Sequence, residues 1–108
     1  MRLICERCAA VAVDYQERLL PPIRGRERLM KKSAELLEGL SLLSVPVLFT
    51  EQYPQGLGKT DPALLALAPG APVFLTHMAR TLHKTQAEIE ARLAPPLIAC
   101  FDGMTAEV

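Results

Sequence analysis

Asp14 is the first residue in this chain whose type and position suit chemistry. It closes the apolar run Cys8-Ala-Ala-Val-Ala-Val and is followed by Tyr15, Gln16 and Glu17. A carboxylate at the carboxyl end of a buried strand is held by the rigid sheet behind it and can serve as a general base. The same position also suits a turn or capping residue where the strand exits. Gly58-Lys59-Thr60 has the look of a P-loop tail between a strand and a helix, but the motif needs a glycine where Tyr53 stands, and Pro54 stiffens the loop further. Nucleotide binding is therefore not expected. Cys5 and Cys8 form one CxxC pair. Redox versions of that motif follow a strand and open a helix, whereas this one precedes a strand. His77 and His83 have zinc-finger-like spacing, yet they lie far along the chain from Cys8. Cys5 and Cys8 thus read as structural or incidental, and Cys100 as a core residue inside a strand. His77, His83 and Lys84 follow the third predicted strand, where solvated loop positions are the simplest reading.

The elements that must position these residues alternate between strand and helix. The first strand ends at Asp14; its continuous apolar character suits a strand buried on both faces of a parallel sheet. Pro21-Pro22 breaks the chain, and a helix is predicted from Arg24 to Leu43. Its apolar face would carry Leu29, Leu36, Leu40 and Leu43, with Met30, Ala34 and Leu37 beside them. Val45–Thr50 is the second predicted strand, and Glu51–Thr60 a loop with Pro54, Gly56 and Gly58. Asp61-Pro62 supplies a capping carboxylate and a proline at the first helical position, for a helix near Ala63–Ala68 that stops at Pro69-Gly70. Pro72–Thr76 is the third strand. Thr85-Gln-Ala-Glu88 has capping-box spacing for a helix to about Ala94, and Leu97–Phe101 is the fourth strand. Four parallel strands alternating with helices predict a doubly wound sheet with its ligands at the carboxyl ends of the strands. Those ends are Asp14, Thr50-Glu51-Gln52, Thr76 and Asp102 onward.

The chain has 108 residues, room for one domain, and 50% of them are apolar. Twelve basic residues balance twelve acidic ones, so neither a nucleic-acid surface nor a polybasic membrane patch is expected. No apolar run reaches the roughly 20 residues that span a bilayer, and Met1–Glu6 lacks the apolar core of a signal peptide. An odd count of three cysteines reads as a reduced, cytoplasmic chain.

Three segments together resemble the isochorismatase-like hydrolase family. They are Val11-Ala-Val-Asp-Tyr-Gln-Glu-Arg-Leu-Leu-Pro21, Val45-Pro-Val-Leu-Phe-Thr-Glu-Gln-Tyr-Pro54 with Gly56-Leu-Gly58, and Gly103-Met-Thr-Ala-Glu-Val108. The first is similar to the family's Asp-x-Gln strand-one motif with its Leu-Pro exit. The second resembles the Thr-Glu-Gln-Tyr-Pro loop of the isochorismatase-domain-containing subgroup, and the third the glycine-led segment that runs into the nucleophilic cysteine. The resemblance implies a three-layer α/β/α, Rossmann-like fold with a parallel sheet, and a Cys-Asp-Lys triad that hydrolyses amide or related C–N and C–O bonds of a small molecule. Asp14 matches the aspartate. Lys84, in His83-Lys84-Thr85, reaches the family's Lys-Thr pair if an insertion is allowed. Gln16, Gln52 and Tyr53 would line the substrate pocket. Met104 and Thr105 match the place where a non-proline cis peptide often helps form the oxyanion hole. The family's zinc-binding branch carries an Asp-x-His ligand motif with no counterpart here, so no metal and no cofactor are expected.

The nucleophile of the resemblance would follow Val108. The expectation is a domain over 1–108 that is truncated to about four strands and stops just before it. Two functional readings follow: a cysteine hydrolase represented by its N-terminal portion, or a catalytically inactive fragment or binding and assembly module of the same fold. A sheet cut after four strands exposes an apolar edge, which predicts a homo-oligomer or an aggregation-prone chain.

Overall fold

The computed structural model describes residues 2–76, 97–99 and 104. A 3₁₀ turn, Cys5–Arg7, leads into β1 (Ala10–Val13), followed by α1 (Arg26–Leu42), β2 (Val47–Gln52), α2 (Pro54–Leu57), α3 (Pro62–Leu65), β3 (Val73–Thr76) and β4 (Leu97–Ala99). The strands form one sheet in the order β1-β2-β3-β4, and every neighbouring pair is parallel. This is the parallel α/β architecture that the apolar runs foretold. The described order contains no reversal, so the described strands are a single wing of such a sheet. The expected helix over Thr85–Ala94 lies outside the described residues.

Residues in parallel register point to the same face, so Ala12, Phe49 and Val73 share one side. On that side Phe49 and Val73 meet Leu37 of α1 and Leu64 of α3 in the buried core, with Ala12, Met30, Ala34 and Leu40 packed around them. Both helices sit on one face, as crossovers of a single hand between successive strands require. Two layers of the expected three are therefore present among the described elements.

That arrangement corrects the reading of β1. Ala10 and Ala12 are half-buried against the helices, but Val11 is 53% and Val13 62% exposed on the other face. A run of small and branched apolar residues fits a doubly covered strand equally well, and nothing in it says which cover is present. The phase of α1 is also turned from expectation. Its inward stripe is Met30, Ser33, Ala34, Leu37 and Leu40, whereas Leu36 is 63% exposed and Leu43 faces solvent. Leu29, Leu36, Leu40 and Leu43 form a stripe along one edge of the buried face, and the rest of that face is made by Met30, Ser33, Ala34 and Leu37. Ser33 is drawn inward because its hydroxyl meets the Tyr15 Oη at 2.9 Å.

β2 begins and ends two residues later than expected, because α1 closes through Ser44 in the left-handed region and Val45 N–H returns to the Leu40 carbonyl at 2.9 Å. This helix-ending turn uses Val45 as a buried cap rather than as strand. Asp61 caps α3 as foretold, accepting from Ala63 N–H at 2.9 Å, with Pro62 opening the helix. Among the described residues, no helix is long and apolar enough to cross a membrane.

Truncating Phe49, which is wholly buried, to alanine should cost about 3–5 kcal/mol. Leu36→Ala should change stability by less than about 0.5 kcal/mol. Urea unfolding of both variants checks this; equal losses would mean that Leu36 is a core residue after all.

Candidate active site at the carboxyl ends of the strands

β1 and β2 both leave the sheet through a non-glycine residue in the left-handed region, Asp14 at φ 56° and Tyr53 at φ 41°. For Asp14 this has a direct chemical result. In a regular strand residue 14 would point the way Ala12 does, toward the helices. The left-handed backbone breaks that alternation and swings the carboxylate to the face opposite α1 and α3, where Thr50 and Gln52 stand on β2. Thr50 Oγ1 donates to Asp14 Oδ1 at 2.9 Å, and Gln52 Nε2 donates to Oδ2 at 3.1 Å. The Asp14 N–H is shared between the Thr50 carbonyl at 3.1 Å and Thr50 Oγ1 at 3.2 Å. Asparagine and aspartate tolerate this backbone region better than other side chains, and the bonds offset a strain of order 1 kcal/mol.

Among the described residues, each carboxylate oxygen thus receives one side-chain donor, and a carboxylate oxygen can accept more than one. The group is half-buried and aimed by two neutral donors. Such an arrangement can accept a proton from a nucleophile, or hold and orient a cationic partner.

Gln16 is entirely buried, and its amide behaves as an extra peptide unit. Its Oε1 accepts from Gln52 N–H at 2.8 Å, and its Nε2 donates to the Gln52 carbonyl at 2.9 Å and to the Gly58 carbonyl at 2.7 Å. Gln16 was expected to line the pocket; the structure places it beneath, where its amide is occupied by backbone and sets positions rather than meeting a ligand. Around it the β1 exit is laced to the segment before α3. Glu17 N–H bonds to the Lys59 carbonyl at 2.9 Å, Arg18 N–H to Leu57 at 3.0 Å, and Asp61 N–H to Tyr15 at 2.8 Å.

Gly58, at φ 81° and ψ 176°, sits in backbone space that is essentially restricted to glycine, and a side chain there would press on Glu17 Cβ. The glycine that resembled part of a phosphate loop therefore serves close backbone approach, and its carbonyl is taken by Gln16. Below it, Glu51 is buried on the helix side. Its Oε2 accepts from Thr60 N–H at 2.7 Å and Thr60 Oγ1 at 2.6 Å, while Oε1 has no partner among the described residues.

Tyr53 is half-exposed over Gly56, on the rim with Gln52. Met104 is half-buried outside regular structure. Lys84, Thr105, His77, His83 and Cys100 lie outside the described residues. Cys5 and Cys8 precede β1 while Asp14 follows it, so at about 3.3 Å per residue Cys8 stands roughly 20 Å from Asp14. Among the described residues, no group of three His, Cys, Asp or Glu side chains could hold a metal ion. A cleft of about 460 Å³ opens at the amino ends of the strands beside Leu37, Val45, Pro46 and Pro72, but among the described residues no titratable side chain lines it.

Thr50 had not been singled out as a site residue. The signal was available: in a parallel pair, the last residues of neighbouring strands stand side by side, and Val13 pairs with Thr50.

No family model matches the chain. Over 63 residues it is 40% identical to isochorismatase domain-containing protein 2A of Mus musculus, a match covering 58% of this chain and 31% of that protein. Over the matched residues the chain is similar to isochorismatase domain-containing proteins. Isochorismatase domain-containing protein 2 of Danio rerio is 36% identical over 63 residues, covering 58% of this chain and 32% of its own length. The Homo sapiens protein 2 is 45% identical over 51 residues, covering 47% and 25%. The chain therefore spans about a third or less of these relatives. Among solved structures, the MAR1 ribonuclease from Caenorhabditis elegans superposes with a TM-score of 0.65 at 33% identity, covering 69% of this chain and 40% of that one. Sequence and architecture thus agree on an isochorismatase-like parallel α/β fold.

Replacing Gln16 by leucine keeps the volume but orphans the Gln52 N–H and the Gln52 and Gly58 carbonyls. At about 1–3 kcal/mol for each buried unpaired group, the loss should exceed about 2 kcal/mol. Arg18→Ala, which removes an exposed bond to the Gly56 carbonyl, should cost less than about 1 kcal/mol. Comparable midpoints for the two variants in urea would show that Gln16 does not hold the loop.

Proposed function

We propose that this chain carries the aspartate-bearing part of an isochorismatase-type cysteine hydrolase site, acting on an amide or related C–N or C–O bond of a small molecule. The observation that supports it most is the Asp14 carboxylate, turned by a left-handed backbone onto the face opposite α1 and α3 and aimed by Thr50 and Gln52. In this reading Asp14 takes the proton of a thiol, which attacks the substrate carbonyl as thiolate; Asp14 later returns that proton to the leaving amine. Gln52 and Tyr53 border the substrate, and Gln16 fixes the peptide of Gln52. Lys84 would assist the ionised state, and the Met104-Thr105 segment would bind the developing oxyanion. The thiol is a cysteine other than Cys5 or Cys8, both of which belong to the far end of β1. No metal or cofactor takes part. The chain over 1–108 belongs to one such domain and acts in the cytoplasm.

A second reading has its own support. Val11 and Val13 are exposed on an edge strand that carries neither proline nor charge, the kind of edge that pairs with another chain. The same fold would then serve as an inactive assembly module, and the isolated chain would self-associate. Sedimentation at several concentrations should show species larger than a monomer; a monomer throughout, with a concentration-independent unfolding transition, would rule out this association.

Ammonia release from a panel of small carboxamides tests the hydrolase, with RNA cleavage followed separately on a gel because the Caenorhabditis elegans neighbour is a ribonuclease. Hydrolysis of an amide that Asp14→Asn lowers by about 10²–10⁴-fold, with an unchanged unfolding temperature, supports the hydrolase. Asparagine tolerates the left-handed backbone and can still accept from Thr50, while the Gln52 amide must turn to accept from its Nδ2; the unchanged unfolding temperature shows that the corner survives this exchange. Hydrolysis that survives Asp14→Asn sinks the assignment. Concentration-dependent self-association with no hydrolysis in the panel favours the assembly module.

A further inference from the structure

The amino end of β1 carries a second pair of reactive groups, on which the proposed hydrolysis makes no demand. Cys5 opens the 3₁₀ turn and Cys8 closes it, the Cys8 N–H bonding to the Cys5 carbonyl at 3.2 Å. Three residues at about 2.0 Å rise complete one turn of a 3₁₀ helix, so the two Cα atoms lie about 6 Å apart and their side chains eclipse on one face. Disulfides form between Cα atoms about 4.4–6.8 Å apart. Both residues are free thiols, Cys5 exposed and Cys8 half-buried, and no residue of the turn is buried. Glu6 and Arg7 occupy the intervening positions, so neither thiol is shielded by an apolar neighbour within the turn.

We propose that Cys5 and Cys8 are a dithiol modification site, which closes to an intramolecular disulfide by exchange with a low-molecular-weight disulfide of the glutathione type. The more exposed Cys5, as thiolate, attacks one sulfur of the small disulfide. A Cys5 mixed disulfide forms and the first small thiolate leaves. Cys8, as thiolate, then attacks the Cys5 sulfur, the bond to the small molecule breaks, and the second small thiolate leaves. Two protein thiols are oxidised to one cystine, one small disulfide is reduced to two thiols, and the two protons go with them. The eclipsed geometry favours the second step, because the resolving sulfur already stands beside the mixed disulfide. The site is a property of the turn, independent of Asp14.

The test is incubation of the reduced chain with oxidised glutathione, followed by alkylation and a non-reducing tryptic digest. Cleavage after Arg7 separates the two cysteines, so the proposed bond appears as the Leu3–Arg7 and Cys8–Arg18 peptides joined, two mass units below their reduced sum. Phenylarsine oxide, which condenses with a close pair of thiols and releases water, should bind one per chain. Cys5→Ser or Cys8→Ser should abolish that binding, while Cys100→Ser leaves it intact. Because the turn is exposed, these variants should keep the wild-type circular dichroism. Stable glutathione adducts on both cysteines, linkage of either one to Cys100, or arsenical binding that survives Cys5→Ser would each overturn the proposal.

Discussion

The carboxyl-end architecture rests on one side-chain amide taking the place of a backbone one. Gln16 meets both the N–H and the carbonyl of Gln52 and also reaches the Gly58 carbonyl, so a single residue joins the exit of β1, the end of β2 and the segment before α3. Backbone polar groups at the end of a strand have lost their ladder partners, and burying them unpaired is costly. A glutamine is long enough to reach the next strand and offers a donor and an acceptor in the relative positions of a peptide group. With that knot in place, Gln52 has a fixed backbone from which its own side chain can aim Asp14.

Around the knot the chain adopts conformations that ordinary residues avoid. Asp14 and Tyr53 are left-handed, and Gly58 is in a region nearly reserved for glycine. Asp14 and Gly58 are held by bonds from distant parts of the chain, and Tyr53 by the turn that its carbonyl closes with Gly56 and Leu57. Strain tolerated in this way concentrates at sites where a particular side-chain direction matters more than local comfort. Here the direction gained is that of the Asp14 carboxylate, which leaves the face of the sheet covered by α1 and α3 for the opposite one.

Much of this was legible from residue order. The apolar runs before Asp14 and Thr50, the Asp61-Pro62 cap and the breaks at Pro21-Pro22 and Pro69-Gly70 each reflect a local cause, and local causes survive into the fold. The inward face of α1 was only partly legible, because Leu29, Leu36, Leu40 and Leu43 mark a stripe at one edge of it, and Tyr15, distant in sequence, decides that Ser33 points in. The exposed side of β1 was not legible, since Val11 and Val13 would fit a covered strand equally well. At the site, the type and place of Asp14 could be read in advance. The left-handed turn that aims it, and the burial of Gln16, depend on bonds between residues 36 to 42 positions apart, which no local pattern encodes.

Those separations bear on how the molecule acquires its site. Each tie at the Asp14 corner closes a long loop of chain, and the entropy of that closure must be met before the tie gives anything back. Helix α1 can begin from its own neighbours, but Asp14 has no fixed direction until Thr50, Gln52 and Gly58 have all arrived. The carboxylate therefore takes its direction from the pairing of β1 with β2 and not from its neighbours in sequence, and it is set together with the whole corner.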